Sequence, residues 1–322
     1  MKSGGSHHRA AVGATAPPSA GRPGLIFLKV AISVGLLAYL GTRVDWTVLA
    51  GRLRDSAPLE LFWACVVLFA AVPLTALRWH LLARITDVAM PLPMSLKLTY
   101  TGLFFGQALP ATVGGDAVRA WLAARTGLPL KKVLTGILSD RVAALTAAMV
   151  LIVFSLPLMF GQDHHALAWT ALSGAALVIF GLLALNIERL PLPGALTANR
   201  WIGALLTIIA DTRRVLVTRT GLAALGLSIV IHFTTVLAVF LIGRSLDLQQ
   251  GLAIYFLVVP TAIVASAIPI SLNGWGVREG VMVAALGVFG VAAGDAFLAS
   301  MLLGVGVILT AIPGALLWLS LK

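Results

Sequence analysis

Charged residues are scarce in this chain. They make up 11% of its 322 residues, whereas hydrophobic residues make up 59%. A soluble domain contains about 25% charged residues, so this sequence has too little polar surface to cover a globule in water. The scarcity excludes a soluble enzyme, a free nucleic-acid-binding protein and a disordered protein. Cysteine is nearly absent too, because Cys65 is alone in the sequence, and this excludes an intrachain disulfide.

Motifs of soluble catalysis are also missing. The sequence contains no G-x-x-x-x-G-K-[ST], no H-E-x-x-H and no G-x-S-x-G. We therefore expect no soluble catalytic domain, no enzyme activity and no cofactor. We expect no metal site either, because the adjacent His7 and His8 lack the further ligands that a metal ion needs.

Long apolar runs dominate the remaining sequence. A transmembrane helix needs about 20 apolar residues, and six segments qualify. They are 25–42, 58–83, 132–160, 166–187, 220–243 and 293–320. We predict an all-α polytopic membrane protein in which these six segments are full transmembrane helices of a single domain, residues 24–322. Residues 1–23 are rich in Gly, Ala, Ser and Pro, which predicts a disordered cytoplasmic tail.

Two further apolar regions, 94–126 and 251–290, are each interrupted by a proline and a glycine-rich stretch. Proline ends a helix, and glycine permits backbone conformations that other residues avoid. We predict two broken or re-entrant helical hairpins, with Gly114 and Gly115 at the first break and Gly274 and Gly276 at the second. The alternative is that 94–110 and 251–269 cross fully, which would give eight or more crossings.

The two breaks resemble each other in sequence. Residues 110–119 are PATVGGDAVR, and residues 269–278 are PISLNGWGVR. The same spacing relates the flanking apolar runs, which predicts two repeats, at about 25–160 and 166–320. With the hairpins re-entrant, each repeat has an odd number of full spans, so the second repeat would be inverted. Most of the 23 lysines and arginines then fall on the cytoplasmic side if the N-terminus is inside.

Residues 198–217 differ from the spans because apolar residues recur at helical spacing and polar residues fall on the opposite face. This pattern predicts an amphipathic helix at the cytoplasmic membrane interface, and its basic residues would favour anionic headgroups. The alternative is a basic loop that only sets the topology.

Ionisable residues at membrane depth are costly and commonly functional. The candidates are Asp116, Arg119, Asp140, Arg141, Arg278 and Glu279. We expect Arg119 and Arg278 in the first turn of a helix after each break, where the helix dipole disfavours a cation. Two arginines so placed predict a bound anion such as a phosphate. The alternative is internal pairing, of Arg119 with Asp116 and of Arg278 with Glu279.

The remaining candidates complete the predicted site. Arg141 would join Arg119 and Arg278 in binding a lipid headgroup, while Asp116, Asp140 and Glu279 would orient these arginines. For Asp116 the alternative is a helix N-cap. For Asp140 and Arg141 the alternative is a purely structural ion pair between helices.

The sequence also resembles a known family. LPATVGGDAVRAWLAAR, ILSDR at 137–141 and IPISLNGWGVREG at 268–280 resemble the flippase-like membrane region of lysylphosphatidylglycerol synthases, over about residues 25–320. Standalone membrane proteins of this type are similar as well. The resemblance implies a membrane protein that binds or moves a lipid with a charged headgroup, using the six ionisable residues and four glycines named above. The synthases' cytoplasmic aminoacyltransferase domain has no counterpart here, so lysyl transfer is not expected.

From these observations we expect a flippase-like protein of the bacterial inner membrane, with a cytoplasmic N-terminus. Its lipid would be a phospholipid, a polyprenyl-phosphate-linked lipid or a hopanoid-type lipid. A lipid-synthesis enzyme and a second copy of the chain are candidate partners, whereas nucleic acid is not. The alternatives are an intramembrane lipid-modifying enzyme and a non-catalytic subunit of a lipid or glycolipid synthesis complex.

Overall fold

The structure, a computed structural model, describes residues 23–43, 45–108, 114–155, 176, 200–268 and 270–320, and its regular elements there are all α-helices. The prediction of an all-α protein is thereby confirmed. Numbered along the described chain, the helices are α1 Pro23–Thr42, α2 Trp46–Arg54, α3 Pro58–Ile85, α4 Leu92–Ala108, α5 Gly114–Arg125, α6 Leu130–Ser155, α7 Arg200–Leu216, α8 Arg219–Ser245, α9 Leu252–Ala267, α10 Val277–Val288 and α11 Ala293–Leu319.

Four of these helices, α3, α6, α8 and α11, are long and apolar enough to cross a membrane. They coincide with four of the six predicted spans, and α1 coincides with a fifth, 25–42. The sixth predicted span, 166–187, lies outside the described residues apart from Ala176, as does the predicted tail up to residue 22. The chain is therefore a multi-pass membrane protein, as its composition predicted.

Each predicted hairpin region consists of two shorter helices. Helices α4 and α5 occupy 94–126, and α9 and α10 occupy 251–290. At a rise of 1.5 Å per residue, α4 and α9 are about 25 Å long and α5 and α10 about 18 Å. The hydrocarbon core of a bilayer is about 30 Å thick, so none of the four matches it alone. The second interruption was correctly predicted, since residues 270–276 are not helical. The first predicted break lies largely in residues 109–113, which are outside the described residues, as is residue 269.

Helices from the two halves of the sequence pack against one another. Helices α3 and α8 pack along each other in opposite directions, and the Ala57 amide at the start of α3 donates to the Ser245 carbonyl at the end of α8 (3.0 Å). Helix α4 packs on α5 and on α11, while α9 packs on α10 and on α6. Each hairpin therefore contacts a long helix from the other half of the sequence.

Helix α7 coincides with the amphipathic segment predicted at 198–217. It packs against α6 and also touches the start of α8. Asp211 of α7 pairs with Lys131 at the start of α6, at 3.9 Å between Oδ2 and Nζ. The predicted helix is confirmed, and its location at the membrane surface stays a prediction.

Candidate functional site

A buried cluster of charged side chains joins α3, α5 and α6. Arg78 Nε donates to Asp140 Oδ1 at 2.7 Å, and Arg78 Nη1 donates to Ser228 Oγ of α8 at 3.0 Å. The other oxygen of Asp140 lies 3.7 Å from Arg119 Nη1. The side chains of Arg78, Asp140 and Arg119 are only 6%, 4% and 7% exposed. One carboxylate thus bridges two buried guanidinium groups.

Arg119 is the least completely paired member of this cluster. Its Nη1 donates to Asp116 Oδ1 at 3.2 Å, and its guanidinium carbon lies 3.9 Å from the centre of the Trp79 ring, a cation–π contact. Its Nε and Nη2 atoms are buried and have no hydrogen-bond partner among the described residues. Buried donors are rarely left unpaired, so these two nitrogens are available to a bound acceptor.

Arg141 forms the exposed edge of the cluster. Its Nε donates to Asp116 Oδ2 at 2.7 Å, while its own side chain is 57% exposed. Asp116 lies in the first turn of α5 and pairs with two arginines, so the alternative that it is an N-cap is wrong. Counting Arg78, the cluster contains three arginines and two aspartates and so has a net charge of +1.

Glycines bring α4 close enough to α5 to enclose Arg119. A Cβ atom on Gly115 would overlap the Gly102 carbonyl oxygen and lie 3.2 Å from Gly106 Cα. A Cβ atom on Gly102 would lie 2.6 Å from Arg119 Cδ. The expectation that Gly114 and Gly115 form the break is wrong, because both are helical. Gly115 is needed for the close approach of two backbones rather than for a turn.

A second cluster surrounds Glu279 at the start of α10. Glu279 is fully buried, and its Oε2 accepts a hydrogen bond from the Gly276 amide at 2.6 Å. Its Oε1 accepts from Arg278 Nε at 2.9 Å, from Arg278 Nη2 and from Ser300 Oγ at 3.3 Å. The Arg278 guanidinium carbon also lies 4.7 Å from the centre of the Trp275 ring. This cluster has one cation and one anion, so its net charge is zero.

The two arginines that the sequence aligns are not in equivalent positions. Arg278 lies in the first turn of α10, as expected, but Arg119 lies one turn further along its helix, because α5 begins at Gly114. Gly274 and Gly276 have φ angles of +82° and +85°, which keep the chain out of a helix until Val277. Internal pairing, the alternative foreseen for both arginines, occurs in both clusters.

The structure brings the predicted residues of the first half together, and those of the second half form a cluster of their own. Arg78 was missed among the predicted site residues. It lies within the predicted span 58–83, and the cost of an ionisable residue inside a span was the available signal. Among the residues that the structure describes, no group of three or more His, Cys, Asp or Glu side chains could hold a metal ion.

These features define a class: a polytopic α-helical membrane protein with two interrupted hairpins and buried charge clusters. The chain belongs to the family described as the lysylphosphatidylglycerol synthase TM region, which matches residues 26–314. The resemblance drawn from the sequence motifs is therefore confirmed.

One curated relative is a UPF0104 membrane protein from Methanothermobacter thermautotrophicus. It is 28% identical to this chain over 119 residues, which are 37% of this chain and 33% of that protein. The match therefore spans about a third of the relative's length. No solved structure matches the chain significantly.

Proposed function

We propose that this protein binds a lipid with an anionic headgroup and moves it across the membrane without altering it covalently. The observation that supports this most directly is Arg119, a buried cation in a cluster of net charge +1, two of whose donor nitrogens have no partner within the described part of the chain. A buried net charge is costly, and an anion would compensate it. The planar guanidinium fork is suited to a phosphate or carboxylate, which can accept two parallel hydrogen bonds.

The other predicted residues have different roles in this proposal, according to their exposure and their ion pairs. Arg141, at the exposed edge, would meet the headgroup before Arg119 does. Asp116 and Asp140 orient the guanidinium groups that they contact. Arg278, already paired with Glu279, would act in the second half of the route, where a neutral cluster attracts an anion less strongly.

In a two-fold inverted repeat, each half of the chain would form the part of this route on one side of the membrane. The packing of α4 on α5 and α11 has a counterpart in the packing of α9 on α10 and α6. Two ion pairs correspond as well: Arg52 of α2 with Asp295 of α11, and Asp211 of α7 with Lys131 of α6. We propose that the hairpins are re-entrant, an arrangement that many transporters share.

Translocation by this chain would be passive, or coupled to an ion or to the membrane potential, because the sequence has no nucleotide-binding motif. The excess of basic residues on one side favours a cytoplasmic N-terminus in a bacterial inner membrane. The lipid could be a phospholipid or another lipid with a phosphate headgroup, since the guanidinium group of Arg119 recognises the phosphate and not the rest of the molecule.

Proteoliposomes provide the test. The protein is reconstituted with fluorescent phosphatidylglycerol or phosphatidylcholine, and movement between leaflets is followed by chemical quenching of the outer leaflet. We expect transport of the anionic lipid, slowed at least tenfold in Arg119→Gln, because a hydrogen bond to a charged group contributes about 1.5–3 kcal/mol. Arg119→Lys, which keeps the charge without the fork, should give an intermediate rate.

Arg125→Gln is the matched control, since Arg125 lies on the same helix but is exposed and stacks on Trp121. Thermal unfolding and size-exclusion chromatography identify variants that fail to fold. Equal transport by the wild type and a folded Arg119→Gln variant would contradict the proposal. A new covalent lipid product, detected by mass spectrometry, would favour the lipid-modifying enzyme instead.

A further inference from the structure

A separate cavity of about 360 Å³ lies where the last residues of α3 and α7 meet the first residues of α6 and α8. Helices α3, α6 and α8 are candidate membrane spans, and it is their ends that border the cavity. The cavity is therefore at the level where lipid headgroups meet water. It is distinct from the Arg119 cluster, with which it shares no residue.

Half of the residues that line this cavity are charged. Three basic side chains line it, Lys131, Lys132 and Arg214, together with two acidic ones, Asp87 and Asp211. The net charge of the lining is therefore +1. Thr86, Thr135 and Thr218 add hydroxyl groups, and Ile85 and Val215 add apolar surface.

The basic side chains are not firmly held by the acidic ones. Lys131 Nζ lies 3.9 Å from Asp211 Oδ2, and Lys132 Nζ lies 3.7 Å from Asp87 Oδ2, which exceeds hydrogen-bonding distance in both cases. These side chains are between 35% and 88% exposed, and partly or fully exposed pairs of this kind contribute little. Arg214 has no carboxylate within 4.0 Å in the part of the chain that the structure describes. All three cations can therefore turn towards an incoming anion.

The local electrostatics also favour an anion. Lys131 and Lys132 follow Leu130, the first residue of α6, so they lie in the turn where the helix dipole is unfavourable for cations. An anion between them would offset both the dipole and their mutual repulsion. Arg214 approaches from the last turn of α7, so the three basic residues come from two facing helix termini.

We infer that this cavity binds the phosphate of an anionic phospholipid from the adjoining leaflet. The amphipathic helix α7 and the apolar residues Ile85 and Val215 favour a lipid over free phosphate, because the glycerol and acyl chains need apolar surface beside the charged site. This surface site does not depend on translocation or on Arg119. A bound lipid would hold α7 against α6 and the start of α8.

The test uses the full-length protein in detergent, titrated with dioleoyl phosphatidylglycerol or dioleoyl phosphatidylcholine and analysed by native mass spectrometry. All variants include Arg119→Gln, so that binding at the buried cluster does not contribute. Each basic residue near a membrane surface strengthens binding to anionic lipid about fivefold. We therefore expect Lys132→Gln with Arg214→Gln to weaken phosphatidylglycerol binding about 25-fold and to leave phosphatidylcholine binding unchanged.

The control is Arg125→Gln with Arg219→Gln, which removes the same charge from exposed arginines that do not line the cavity. It should change the affinity less than threefold. Equal affinity losses in the two double variants would overturn the inferred site. Complete displacement of phosphatidylglycerol by an equal concentration of inorganic phosphate would overturn the assignment to a lipid. Neither result depends on whether the protein transports lipid.

Discussion

Breaking the buried pair between Arg78 and Asp140 should destabilise the protein strongly. Asp140→Asn removes the anion that lies 2.7 Å from Arg78 Nε and 3.7 Å from Arg119 Nη1. Arg78 would then lose its paired carboxylate, Arg119 would retain only Asp116, and the net charge of the cluster would rise from +1 to +2. Removing one partner of a buried ion pair costs about 3–5 kcal/mol, since the other charge stays buried and uncompensated.

The double variant Arg78→Met with Asp140→Leu tests the physical reason for this loss. It removes both charges and replaces them with apolar side chains of similar size. Exchanging a whole buried pair for apolar residues is commonly neutral or stabilising. We therefore expect the double variant to lose at least 2 kcal/mol less unfolding free energy than the two single variants lose together. A coupling energy of this size is within the range for contacting residues.

Reversible unfolding in mixed micelles of dodecylmaltoside and sodium dodecyl sulfate, followed by tryptophan fluorescence, provides the free energies. Lys132→Gln is the control, because Lys132 and Asp87 lie 3.7 Å apart with side chains 44% and 88% exposed. An exposed pair should contribute less than about 1 kcal/mol. If Asp140→Asn and Lys132→Gln lower the unfolding free energy equally, the argument from burial is refuted.

Two further predictions follow from the same contacts. Glu279→Gln should lower the unfolding free energy by about 3–5 kcal/mol in that assay, because Arg278 would lose its carboxylate; a change below 1 kcal/mol would contradict this. Gly102→Ala should slow lipid transport in proteoliposomes by displacing the Arg119 side chain, whereas Gly226→Ala, with open space around its Cβ position, should have no effect; equal rates in the two variants would contradict the packing argument.

The helices could be predicted from the sequence because the length of an apolar run determines them. A run of about 20 apolar residues must satisfy its backbone hydrogen bonds internally within a membrane, so a helix follows from length and composition alone. The second break was predictable for a similar reason, since a proline followed by glycines rarely continues a helix. The amphipathic helix α7 was evident from its periodicity.

The partners of the charged residues could not be predicted in this way. Asp140 pairs with Arg78 across 62 positions of sequence, and Arg78 donates to Ser228 across 150. Such contacts depend on how α3, α6 and α8 pack, which no local pattern encodes. The start of α5 also escaped prediction, because two segments of similar composition differ in backbone conformation: Gly274 and Gly276 have positive φ angles, whereas Gly114 and Gly115 are helical.

The two halves differ most in their charge, and this difference bears on mechanism. Glu279 neutralises Arg278 from the adjacent position, whereas Arg119 shares two aspartates with Arg78 and Arg141. An anion approaching the first cluster would neutralise it, but the same anion at the second would add a net charge to a buried neutral site. Headgroup binding should therefore be one-sided even if the backbone repeat is two-fold.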